Sequence, residues 1–313
     1  MRVFTDPRCA THQVPAGFPE VPERLAGILA ALAADPAFEW APATENLDDP
    51  SALALVTTLH DPAYVARFRA AVERGDGLLD GADNPLSPGT WGAALGAVAA
   101  TAAALDWTVA APGRRAFAAV RPPGHHAERA LAMGFCWFGN AALAAERARR
   151  NHGLERVAIV DVDVHHGNGT QHLFERRADV FYASLHQWPF YPGTGAAGER
   201  GSGAGEGATL NLPLAAGTGD AEARAAVEGV LEPALARFAP ELVVVSAGFD
   251  AWREDPLGGL RWSEEWFGEL GQRLGGAATG AARGRVLVVL EGGYDLAALP
   301  RLTRTFLAGI AAG

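Results

Sequence analysis

Residues 156–170 read RVAIVDVDVHHGNGT. A run of apolar, mostly β-branched residues passes into Asp161, Asp163, His165 and His166, then into a Gly-Asn-Gly segment. Such continuous apolarity marks a strand buried on both faces, as in a parallel sheet under helices, rather than the alternation of a one-sided antiparallel sheet. This run predicts a strand over 156–162, and similar runs predict strands over 116–120, 179–185, 241–247 and 285–290. Helical spacing between them predicts helices over 90–106, 139–152, 220–238 and 263–282, with Asp220 and Ser263 as N-caps and Pro233 kinking or dividing the third. Strands alternating with helices give an α/β fold with a mostly parallel central sheet. The stretch 193–207, with seven glycines, is expected to be a loop, and 1–313 reads as one domain without internal repeats.

The 313 residues are 49% hydrophobic and carry a formal net charge of −10, so a large core is affordable and no basic patch invites nucleic acid. An acidic rim would favour a cationic substrate. Cys9 and Cys136 form no disulfide framework and suit a reducing cytoplasm. The start, MRVFTDPRCATHQ, lacks the apolar run of a secretory signal. Apolar stretches elsewhere are read as broken by Gly, Pro or charge before they span a bilayer, so no membrane partner and a cytoplasmic location are expected.

Each predicted strand ends in a polar cluster: RPPGHH (121–126), DVDVHHGNG (161–169), SLHQW (184–188), SAGFD (246–250) and EGGYD (291–295). Ligands of parallel α/β sheets bind outside the carboxyl ends of the strands, so these segments should meet at one edge. Asp161, Asp163 and His165 alternate, and in extended backbone such residues share a side. Carboxylates and imidazole are zinc ligands, and a catalytic zinc keeps three protein ligands and an open position. Asp250, after an apolar strand, is the natural contributor from another segment. His125 and His126 follow a stiff Pro-Pro-Gly turn and can supply the base and acid of amide hydrolysis. Tyr294, after Gly292 and Gly293, can donate to a developing oxyanion.

The segments RPPGHH (121–126), GFC (134–136), DVDVHHGNGT (161–170), SAGFD (246–250), DPLGG (255–259) and EGGY (291–294) resemble the zinc-dependent histone deacetylases, most closely the class II-like branch and its bacterial amidohydrolase relatives. The likeness runs from about Glu20 to the C-terminus and implies the three-layer α/β/α arginase/deacetylase fold. It implies zinc on Asp163, His165 and Asp250, with Asp161 behind them. It also implies a structural potassium at Asp161, the Ser184 hydroxyl and backbone oxygens near Asp163, His165 and Leu185. By resemblance His126 is the general base and acid, oriented by Asn168, while His125 gives electrostatic support, oriented by Asp161. The family's other main branch has aspartate where Asn168 stands, and an uncharged amide leaves the weaker base. Phe135 and Tyr191 match the walls of an acyl-lysine channel, Gly134 offers a carbonyl there, and Asp83 matches a rim carboxylate. Arg24 matches an arginine near an internal product channel. His12, His60, His152, His166, His172 and His186 read as structural or surface residues, His166 with a supporting role.

The resemblance thus implies a zinc amidohydrolase that removes acetyl or other acyl groups from N-acyl-lysine-type amides of small molecules or peptides. Polyamine deacetylases of the family can place a glutamate just after the Asp-Pro of the D-P-x-G segment; here Leu257 stands there, and the long insertion of a bacterial acetylpolyamine enzyme is missing. Acetylpolyamine hydrolysis is therefore the second expectation, with Glu128 as a steering rim carboxylate. A binuclear manganese hydrolase and a non-catalytic acyl-lysine reader are the rivals, and homo-oligomerisation stays open.

Overall fold

A computed structural model describes residues 1–313. Its strands are β1 (Arg2–Phe4), β2 (Glu39–Trp40), β3 (Leu78–Leu79), β4 (Gly81–Pro85), β5 (Arg115–Ala118), β6 (Val157–Asp161), β7 (Val180–Gln187), β8 (Thr209–Leu214), β9 (Leu242–Ala247) and β10 (Val286–Leu290). β6, β7, β9 and β10 are buried at every position, which explains why their sequences show no polar alternation. β3 and β4 form a separate antiparallel pair. The other eight strands make one sheet in the order β2-β1-β5-β10-β9-β6-β7-β8, and every pair in it is parallel.

The strand order positions the site. After β5 the chain jumps to β6 and builds outward through β7 and β8; β9 and β10 then return to fill the gap. The reversal sets β5, β10, β9 and β6 side by side, the arrangement in which a crevice opens beyond the strand ends. Register keeps those ends level: Asp161 pairs with Ser246 and with Ser184, and Leu290 pairs with Ala247.

Helices cover both faces. Thr90–Val109 and Asn140–His152 pack on one another and on the sheet, while Pro22–Ala33, Glu264–Ala277 and Leu299–Ala312 form a second group. Asn140–His152 ends at Gly153 with φ 67°, and Arg149, Arg150 and His152 complement its C-terminal dipole. Ser263 caps its helix by accepting the Trp266 N–H at 3.1 Å. Asp220, expected as a cap, is instead the first helical residue after Gly219; its carboxylate accepts from the Ser263 backbone at 2.9 Å and hydroxyl at 2.6 Å, tying two helix starts together. At Pro233 the predicted helix divides into Asp220–Ala226, a π-turn over Val227–Leu231 and Glu232–Phe238, and the wider turn accommodates a ring that donates no hydrogen bond. Thr90–Val109 corrects the reading of the apolar stretches: it is long and apolar enough to cross a membrane, and its apolarity is spent on the core, where most of it is buried.

Candidate functional site

The ends of β5, β10, β9 and β6 bring together His125, His126, Tyr294, Asp250, Asp161, Asp163 and His165. Alternation does not aim all three residues of D-V-D-V-H at one point, because β6 stops at Asp161 and the chain bends beyond it. Asp161 turns away: its Oδ2 lies 3.1 Å from His125 Nδ1 and accepts the Tyr182 hydroxyl at 3.3 Å. The ligating atoms of Asp163, His165 and Asp250 all lie within 4.8 Å of one another.

This trio fits a metal. His165 Nδ1 sits 3.0 Å from Asp163 Oδ1 and 3.2 Å from Asp250 Oδ2. Asp163 Oδ2 accepts the Gly292 N–H and Asp250 Oδ1 the Val164 N–H, both at 2.8 Å, but Asp250 Oδ2 is buried without a hydrogen bond. An unpaired buried carboxylate oxygen is costly unless a cation compensates it. A Cβ at Gly292 would lie 2.2 Å from Asp250 Oδ2, and one at Gly248 2.1 Å from Asp163 Oδ2, so glycine is what keeps this space clear. Burial opposes a charge on His165, yet its bond to Asp163 and the adjacent Asp250 carboxylate push the imidazole up to about 10, the response of a ring set among anions.

The histidine pair is held from below by Glu291, the first residue of EGGY. Its Oε2 accepts the Gly124 and His125 N–H groups at 2.7 and 3.1 Å, and its Oε1 accepts the Ser246 hydroxyl at 3.2 Å. Burial pushes the Glu291 carboxyl up to about 7, against the pull of His125. Sequence reasoning passed over Glu291, although an acidic residue at the end of a buried strand was the signal used for Asp250. His125, Cys136 and Glu291 also cluster closely, but that group is internally engaged, with the Cys136 thiol donating to Gly134 O at 3.2 Å. The rings of His125 and His126 lie 4.0 Å apart. For His125, burial is outweighed by Asp163 and Asp161, which push the imidazole up to about 10. Burial and the neighbouring His125 and His165 pull His126 well below 6.5, and its bond to Asn168 Oδ1, at 2.7 Å, recovers only part of this.

His126, His165 and Tyr294 meet at a cavity of about 310 Å³ whose lining also includes Asp83, Gly134, Phe135, Phe190, Tyr191 and Leu257. Phe190, unnoticed in the sequence beside Tyr191, stacks on His165 at 5.3 Å. Phe135 meets the Tyr294 ring edge-on at 5.9 Å. Asp83, on β4, accepts the Gly134 N–H and the Tyr191 hydroxyl, each at 2.9 Å. A Cβ at Gly134, where φ is 55°, would lie 2.3 Å from His126 Cδ2. Tyr294 donates its N–H to Asp255 at 2.7 Å, and Asp255 also accepts the Leu257 N–H at 2.9 Å, which ties the EGGY and DPLGG loops. Burial pushes the Tyr294 phenol well above 10, against the pull of Arg24, so the hydroxyl keeps a proton to donate.

Arg24, expected near an internal product channel, lies outside the pocket lining: it is buried 4.7 Å behind the Tyr294 ring and donates to the carbonyls of Gly293 and Glu291 at 2.6 Å and to Glu20 at 2.9 Å. One expectation changes. Glu128 is no free rim carboxylate: its Oε1 takes Asn168 Nδ2 at 2.6 Å and His172 Nδ1 at 2.7 Å. Ser184 faces Asp161 across β6 and β7, with its hydroxyl 2.9 Å from His186 Nδ1, and Leu185 follows it, fully buried. His12, His60, His166 and His186 are buried, while His152 and His172 pair with Asp106 and Glu128 nearer the surface.

A family profile described as the histone deacetylase domain matches residues 18–310. The histone deacetylase-like amidohydrolase of Pseudomonas aeruginosa is 40% identical over 297 residues, covering 94% of this chain and 75% of that protein. Among solved structures, the HD domain of HDA15 is similar with TM-score 0.88 and 36% identity, over 99% of this chain and 87% of that one. The acetylpolyamine aminohydrolase from Burkholderia pseudomallei is similar with TM-score 0.88 and 33% identity, over 100% of this chain and 99% of that one.

Proposed function

Because the chain belongs to the histone deacetylase family, and is on that ground a hydrolase of amide bonds, we propose that it removes acetyl or other acyl groups from N-acyl-lysine-type amides with one zinc ion held by Asp163, His165 and Asp250. The observation that carries this reading is the buried Asp250 Oδ2, without a hydrogen bond, beside Asp163 and His165, the last of which lines an aromatic-walled pocket of about 310 Å³. Zinc in such a ligand set acidifies a water and polarises an acyl carbonyl.

The chain's own residues do the rest. Phe135, Phe190 and Tyr191 give the pocket apolar walls suited to an alkyl chain. His126, kept neutral by burial, takes the proton of the attacking water and returns it to the leaving amine. His125, backed by Asp161, holds a positive charge beside the reacting groups. Tyr294 donates to the carbonyl oxygen as charge builds on it. Arg24, Glu291 and Asp255 fix the loops on which these groups stand. We assign potassium to Asp161, Ser184 and the backbone near Asp163, His165 and Leu185, read 1–313 as one catalytic domain, and place it in the cytoplasm, with no nucleic-acid or membrane partner.

A second reading, acetylpolyamine hydrolysis, draws on the likeness to the Burkholderia acetylpolyamine aminohydrolase. Leu257 in the pocket lining disfavours it, since leucine cannot pair with an ammonium group. Parallel assays on an acetyl-lysine peptide and acetylputrescine, each with a hydroxamate inhibitor, test both readings. Acetyl-lysine is expected to turn over faster; no turnover on either overturns the proposal. Replacing Tyr294→Phe should lower turnover about 100-fold or more with zinc retained, and unchanged turnover removes the hydroxyl from the mechanism.

A further inference from the structure

We infer that Glu128 is the positioning residue that fixes the tautomer of His126, acting through the side-chain amide of Asn168. The inference rests on the reading of His126 as the base. A base on this ring needs Nε2 bare and its proton on Nδ1. Nδ1 faces Asn168 Oδ1 at 2.7 Å. An asparagine alone is an ambiguous partner, because its amide offers an acceptor one way round and a donor the other. Turned over, it would donate to Nδ1, send the ring proton to Nε2 and block the base.

The other end of the amide removes the ambiguity. Asn168 Nδ2 lies 2.6 Å from Glu128 Oε1, and a carboxylate only accepts. The NH2 group must face Glu128, so the carbonyl must face His126. Glu128 is itself anchored: its N–H donates to Leu131 O at 3.0 Å and its carbonyl lies 2.9 Å from His60 Nδ1. The same Oε1 lies 2.7 Å from His172 Nδ1, four residues after Asn168 in the helix Asn168–Phe174, so one helix face grips the carboxylate twice. An aspartate at 168 would accept whichever way it turned and would need no such partner.

The test substitutes Glu128→Gln in the zinc-loaded enzyme. Glutamine can present either end of its own amide, so the direction is lost. We expect kcat to fall about tenfold with little change in KM. The ¹⁵N-imidazole spectrum of His126 should move from a proton on Nδ1 toward a mixture with Nε2, and adding Asn168→Asp should restore turnover. An E128Q enzyme with unchanged kcat and its His126 proton still on Nδ1 overturns the inference. A loss that Asn168→Asp does not rescue, with the tautomer unmoved, overturns it too and leaves Glu128 a structural role. If the unsubstituted enzyme has no turnover, the proposed function fails, while the spectra still decide the role of Glu128.

Discussion

His125 and His126 are consecutive residues with rings 4.0 Å apart, both buried, yet they hold protons in opposite ways. His125 lies beside Asp163 and backs onto the Asp161 carboxylate, and the two push it up to about 10 despite burial. His126 backs onto the Asn168 amide and falls well below 6.5. Burial is common to the two, so what separates them is the charge around each ring: His125 faces the Asp163 and Asp161 carboxylates, whereas His126 faces His125 and His165 with only an amide behind it. The difference divides the labour of the pair: one ring holds charge, and the other is free to move a proton.

The largest effects should come from deleting the two rings in turn. His126→Ala should lower acetyl-lysine turnover about 1,000-fold and His125→Ala about 100-fold, as measured by kcat on zinc-matched proteins. Equal losses would break the division.

A smaller effect extends the comparison to histidines outside the pocket lining. His60, His166 and His186 bond to carbonyl, amide or hydroxyl partners, and burial pulls them down to about 4, 3 and 4. The unfolded chain, with histidines near 6.5, takes up protons first as pH falls. The stability these three contribute is therefore complete above about 6.5 and is lost as pH falls to about 3. His125 contributes with the opposite sign in a different window: its stabilisation is full below about 6.5 and fades as pH rises toward about 10. Titrating the imidazole NMR signals of His60, His166 and His186 in the folded protein from pH 7.5 downward checks this, and rings that protonate near 6.5 would contradict it.

The smallest effect carries the rule to the substrate. Leu257→Glu places a carboxylate at the pocket and should shift relative kcat/KM toward acetylputrescine about fivefold, with zinc content unchanged. No shift would mean that this position does not face the substrate chain.

How much of this is legible in sequence follows from the range of the forces involved. The buried strands announce themselves because a parallel sheet demands continuous apolarity, and Ser263 announces its helix because capping is local. β1 and β2 are too short to carry a pattern, and Asn211 and Pro213 interrupt the one on β8. The bend after Asp161 depends on where β6 stops pairing, so spacing alone made Asp161 look equivalent to Asp163. Glu291 and Glu128 were missed or misplaced because their partners come from segments distant in the chain. Phe190 needed the stacking geometry on His165 to show its place.

One measurement bears most directly on the account: acetyl-lysine peptide turnover as metal-free protein is titrated with zinc. Turnover should rise in proportion to added zinc and level off at one equivalent per chain, as the single trio Asp163, His165 and Asp250 requires. A plateau at two equivalents, or no turnover at any zinc level, would contradict it.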